Sequence, residues 1–145
     1  MGMNMNKLLT TIALLCFSVA AKGQETEIKA VQQRYVEDFI AFDYDRIAAH
    51  FTYPVMIMGS TTRILEKPEA LINYYKSLIS ALPENYSHST TEVEVREVNN
   101  FTWLLVSTFY RYNTNGDMFQ SGTTQNFYIE TNDGWKIFLR QSAAL

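Results

Sequence analysis

The segment from Val31 to Gly59, VQQRYVEDFIAFDYDRIAAHFTYPVMIMG, constrains the fold more than any other part of the chain. Ile28, Val31, Tyr35, Phe39 and Phe42 recur at spacings of three and four. They draw one apolar stripe along a helix of about four turns, with Gln33, Arg34, Glu37 and Asp38 mostly off it. Asp43 then suits the N-cap of a short second helix, because its carboxylate accepts orphan amide hydrogens. Asp45 beside it complements the helix dipole, so the pair reads as capping rather than as two catalytic acids. Ile47, Ala48 and Phe51 give this helix a small apolar face. Pro54 is expected to end it and to open the strand VMIM. A striped helix feeding directly into an apolar strand calls for a layer of helices on a sheet.

The rest of the chain supplies that sheet. Thr61 to Glu66 reads as a short strand or crossover. Pro68 fits the first turn of a third helix, where its missing N–H is harmless. Leu71, Tyr74, Tyr75, Leu78 and Leu82 form that helix's stripe, and Pro83 stops it. Val93 and Val95 alternate with Glu92, Glu94 and Arg96, as in a strand with one wet face. Phe101 to Tyr112 is apolar, aromatic and β-branched, and reads as a central strand packed on both faces. Asn115-Gly116 and Asp133-Gly134 supply the positive φ angles of two-residue hairpin turns. They tie Phe101–Tyr112, Phe119–Glu130 and Trp135–Gln141 into an antiparallel meander. The expected class is α+β, with helices packed on a curved antiparallel sheet.

Residues 1–23 stand apart. Lys7 is the only charge before an apolar run from Leu8 to Ala21, and Ala21-Lys22-Gly23 places small residues where a signal peptidase reads them. That run is about 14 residues long, short of the roughly 18 that suggest a membrane span. Leu15 is too large for the residue before a lipoprotein cysteine, so Cys16 does not mark a lipid anchor. The expectation is an exported protein, periplasmic or extracellular, with one domain over residues 24–145 and no stable membrane association. Losing 23 of 145 residues leaves 122, enough for one real core. Losing Lys7 and Lys22 from 12 basic residues leaves 10 against 15 acidic ones, a net charge of −5. That balance argues against a nucleic-acid footprint. Cys16 is the only cysteine, so the mature chain has no disulfide, thiol nucleophile or cysteine metal site. Asn85-Tyr86-Ser87 and Asn100-Phe101-Thr102 match glycosylation sequons, which matter only in a eukaryotic secretory pathway.

The patterns QRYV…FDYDRIAAHF and DGWKI…QSA are similar to those of the nuclear transport factor 2-like (SnoaL-like) superfamily, and the resemblance covers nearly all of Glu25 to Ala143. It implies a cone of helices and bent sheet around an interior pocket, the cystatin-like arrangement. The superfamily includes ketosteroid isomerases, polyketide cyclases, dehydratases and members that only bind or assemble, so the fold leaves the activity open. Isomerase chemistry needs a carboxylate base plus a tyrosine and a protonated aspartic acid for the enolate oxygen. By resemblance Tyr35 matches that tyrosine. The base position falls on Gly59, which has no side chain, and the second oxyanion donor falls near Gln125. One part of three is present, and a slip to Met58 or Ser60 does not restore the base. The resemblance also implies a homodimer through the outer sheet face, where Tyr110, Tyr112 and Tyr128 are expected to cluster.

Tyr35 is the leading pocket residue, since a buried hydroxyl wants a partner; a core tyrosine bonded to a backbone carbonyl would look the same. Phe39, Ile57, Tyr74, Gln125, Phe127 and Gln141 complete the expected ligand-binding set. Gln141 enters by strand parity, sharing a face with Trp135, Ile137 and Leu139. Arg111 shares a face with Phe109 and Ser107, on a side the sequence leaves open. His50 is the most plausible proton carrier, or else a boundary histidine satisfied by one hydrogen bond. His88, in YSHSTT, reads as a solvated residue. The two histidines make no metal motif. With no Gly-rich phosphate loop there is no sign of nucleotide binding, and no cofactor is expected. The first expectation is a non-catalytic exported domain that takes a small, largely apolar molecule. Two others stand beside it: a cyclase, dehydratase or isomerase of SnoaL-like type with Tyr35 and His50 as catalytic candidates, and a protein-interaction module.

Overall fold

The computed structural model describes the backbone of residues 5–144 and the side chains of residues 22–143. The expected leader therefore lies almost wholly outside the described side chains. Helix α1 (Met5–Ile40) is followed by α2 (Tyr44–Ala49), β1 (Phe51–Met58), β2 (Thr62–Leu65) and α3 (Pro68–Ser80). Four long strands then complete the chain: β3 (Tyr86–Asn99), β4 (Thr102–Asn113), β5 (Met118–Thr131) and β6 (Gly134–Ala144). All six strands join one sheet in the order β2-β1-β6-β5-β4-β3. The last four form the expected meander. The chain enters the sheet's other half through β1, which pairs parallel to β6, so the sheet is mixed rather than purely antiparallel.

The apolar stripe of α1 packs where the periodicity places it, with Ile28, Val31, Tyr35 and Phe39 all buried. Val36 joins them. Phe42 does not. It sits past the helix end at φ 56°, and it is exposed. Asp43 N–H donates to the Asp38 carbonyl and Phe42 N–H to the Phe39 carbonyl, the paired bonds of a Schellman stop. Phe42 thus occupies the left-handed position usually given to glycine. The Asp43 carboxylate then caps α2 by accepting the Arg46 N–H at 3.1 Å.

Several expectations shift in detail. Helix α2 ends at Ala49, and Pro54 lies inside β1, where the pairing with β6 changes register. Phe101 is 74% exposed in the turn before β4, not the first residue of a central strand. In both hairpins only the glycine, Gly116 or Gly134, has positive φ. The first loop is instead held by the Asn113 side chain, which accepts from Asn115 and Asp117 N–H. Helix α3 buries Leu71, Tyr75 and Ile79 against the core, while Tyr74 and Leu78 stay half-exposed.

One irregularity governs the interior. Tyr128 pairs with Ile137, but Phe127 pairs with Leu139, so β6 carries an extra residue at Phe138. Trp135 and Ile137 face the helices and are buried. Beyond the bulge the alternation is reset. Arg140 and Ser142 then point inward, and Leu139 and Gln141 outward, opposite to the parity expected from the sequence.

Candidate functional site

Helix α1 lies across the concave face of the sheet. It lowers Gln32, Tyr35, Val36 and Phe39 onto Ser107 and Phe109 of β4, Thr124 of β5 and Arg140 of β6. Between them is a cavity of about 40 Å³, completed by Arg111 and by Ser89 and Thr91 of β3. A larger cavity of about 290 Å³ shares Phe109, Arg111, Thr124 and Arg140 as its wall. Its far side is Tyr74, Leu78 and Leu82.

The Tyr35 and Tyr75 hydroxyls are hydrogen-bonded at 2.8 Å. Burial holds the Tyr75 hydroxyl well above its ordinary pKa, so it stays a neutral donor and acceptor at any physiological pH. Arg140 lays its guanidinium 5.1 Å from the Tyr35 ring centroid and reaches Asn126 Oδ1 at 3.5 Å. Arg111 lies between two rings, 4.7 Å from Phe109 and 5.3 Å from Phe39. Its Nη1 donates to Gln120 Oε1 at 2.7 Å, while its Nε is buried with no partner. Burial lowers the Arg111 pKa from its ordinary, strongly basic value, and the guanidinium stays charged. Among the described residues neither arginine makes an ion pair.

Beneath this site Gln32 Oε1 accepts two bonds, from Asn126 Nδ2 at 3.0 Å and from the Tyr128 hydroxyl at 2.9 Å. All three residues are buried. This network fixes the rotation of α1 over the sheet. A polar residue at position 32 falls on the stripe set by Ile28 and Tyr35, which was the available signal for it.

The expected site residues divide. Tyr35 and Phe39 line the smaller cavity and Tyr74 the larger. Ile57 faces the same interior but packs in the core. Gln125, paired with Val106 and Gln141, lies on the outer face, as does Phe127, which packs on Phe138. Gln141 is exposed there. The reset at Phe138 is the physical reason for Gln141, and the buried alternation Thr124, Asn126, Tyr128 is the reason for Gln125 and Phe127. Tyr128 is fully buried in the interior, so it cannot join Tyr110 and Tyr112 in an outer aromatic cluster. Gly59 is exposed in the turn after β1. Gln32 and Arg140 form the part of the site not singled out from the sequence, and Arg111, whose side the sequence left open, lines both cavities.

His50 lies elsewhere. Its ring stands edge-on to Tyr35 at 5.8 Å but lines an outer groove with Arg34, Asp38, Trp135 and Lys136. Its Nε2 is 2.7 Å from Asp38 Oδ2. Burial pushes the imidazole pKa below its usual 6.5, against the raising pull of Asp38. The folded protein therefore binds this proton less readily than the unfolded chain. The corresponding stability is present above pH 6.5 and is lost as pH falls through the lowered folded value. Thermal unfolding followed from pH 7 to 5 is expected to show this decline in the native chain and a shallower one in His50→Gln. Parallel profiles would refute the assignment.

Among the described residues no group of acidic, histidine or cysteine side chains is placed to hold a metal ion, and no helix is long and apolar enough to cross a membrane. A family model described as NTF2-like protein (DUF6841) matches residues 24–144. No curated protein matches the sequence. Solved structures do. A cystatin-like-fold domain of unknown function from Nostoc punctiforme is similar at TM-score 0.70 and 13% identity, over 85% of this chain and 78% of that one. A ketosteroid isomerase-like protein from Erwinia carotovora atroseptica gives 0.66 and 16%, over 84% and 96%. ActVI-ORFA from Streptomyces coelicolor gives 0.69 and 10%, over 84% and 97%. At these identities the likeness is one of fold.

Proposed function

The chain belongs to the NTF2-like family described as DUF6841, and on that premise we propose that it binds a small molecule inside the cone without transforming it. The observation that carries this reading is the lining of the interior. Hydroxyl, amide and guanidinium groups converge on a space between α1 and the sheet, and the residues that line it include no carboxylate and no histidine. Binding needs only such fixed donors and apolar walls. Proton transfer from carbon needs a base near the substrate. By the resemblance the base position of the isomerase branch falls on Gly59, and His50 opens onto a different groove.

The rival reading, a cyclase or dehydratase, draws support from the His50–Asp38 pair, in which a carboxylate orients an imidazole. Tyr35 touches both places, but the imidazole lines neither interior cavity. Export and pairing of two copies through the outer sheet face belong to the same proposal. The apolar leader supports export, and Phe127 and Leu139, half-buried at paired outer positions of neighbouring strands, support pairing.

The test is titration with a neutral hydrophobic fluorophore. Saturable one-to-one binding is expected in the native chain. Leu78→Trp, which fills the larger cavity from α3, is expected to weaken it by about tenfold or more. Absence of saturation, or equal binding by the filled variant, would overturn the reading.

A further inference from the structure

We propose that the cone's ligand is a small organic carboxylate, with its carboxylate held between Arg111 and Arg140 and an apolar body lying against α3. This rests on the reading of the cone as a binding site and names its ligand class. Two guanidinium groups wall both interior cavities, and no acidic side chain lines either one. Their partners are neutral: Gln120 for Arg111, and Asn126 with the Tyr35 ring for Arg140. Cations withdrawn from water without a counter-charge are costly, and a bound anion removes that cost.

The excess positive charge is local. The whole chain carries a net charge of −3, so the pair does not reflect a generally basic protein. Arg111 is also prepared for a planar partner. Phe39 and Phe109, with ring centroids at 5.3 and 4.7 Å, restrict how its planar guanidinium can turn, and its buried Nε–H lacks an acceptor. A carboxylate oxygen is the acceptor that matches an arginine fork. The wall opposite the arginines is Leu78 and Leu82 with the Tyr74 ring, which favours an organic body over a bare inorganic anion. Thr124 and Ser142 hydroxyls border the same space.

Calorimetric titration of the purified chain tests this with benzoate and phenylacetate, their neutral amides, and inorganic phosphate. The carboxylates are expected to bind at least about tenfold tighter than the amides, as a charge-assisted bond requires. Arg111→Met and Arg140→Met are each expected to remove most of that preference, read as the ratio of acid to amide affinity within each variant. Arg140→Lys, which keeps the charge, controls for folding and is expected to retain part of it. Equal affinity for acid and amide overturns the anion and leaves the binding reading standing. Phosphate binding with carboxylates excluded overturns the organic body. Failure of every probe in folded protein overturns both readings.

Discussion

Gln32→Ala is expected to destabilise the protein by about 4 kcal/mol, among the largest effects available to a single change outside the apolar core. Gln32 Oε1 is the acceptor for two buried donors, the Asn126 amide and the Tyr128 hydroxyl. Truncation strands both. Each orphaned donor costs about 1–3 kcal/mol, and the void left under α1 adds to this. Gln32→Leu keeps the volume but not the acceptor, so it is expected to lose nearly as much. Adding Tyr128→Phe to Gln32→Leu removes one stranded donor and is expected to recover about 1 kcal/mol. Urea unfolding of the three variants measures this. A loss below about 1 kcal/mol for Gln32→Ala would show that water replaces the amide oxygen and that the network does not anchor the helix.

Gly122→Ala is the second large effect, at about 3 kcal/mol. A Cβ at Gly122 would sit 2.5 Å from Phe109 Cζ and 2.8 Å from the Ala143 carbonyl oxygen. The ring can move, but the carbonyl belongs to the neighbouring strand. Relief therefore requires β6 to shift or Phe109 to swing away from the sheet. The second route removes one of the two rings that hold Arg111. The substitution is thus expected to lower the unfolding midpoint and also to weaken ligand binding, whereas Gln32→Ala acts through stability. Unchanged stability in Gly122→Ala would mean that the ring and strand yield freely, contrary to the tight approach seen here.

The parts of this molecule legible in the sequence are those set by local pattern. The stripe of α1, the Asp43 cap, Pro68 at the start of α3 and the hairpin glycines all follow from spacing within a few residues. So does Tyr35, which lies on the stripe and reaches the cavity. Arg140 was not legible, because its inward placement depends on a bulge. Simple alternation from Trp135 carries Leu139 and Gln141 inward, and nothing in GWKIFLRQS marks Phe138 as the extra residue. Arg111 was placed on the correct face with Phe109 and Ser107, but which side that face takes is decided by α1 packing across the sheet. Gln32 was legible in principle as a polar residue on an apolar stripe. Its two partners, 94 and 96 residues away, were not.

The extra residue at Phe138 means that one stretch of chain holds two mutually exclusive linings. With even alternation the inner surface would be neutral, carrying Leu139 and Gln141. A slip of one position exchanges these for Arg140 and Ser142. Loss of Phe138 itself would leave Arg140 in step with Ile137 and facing the same way. Relatives one residue shorter at this point would therefore keep the cationic lining, and an ungapped comparison across it would match inner residues with outer ones.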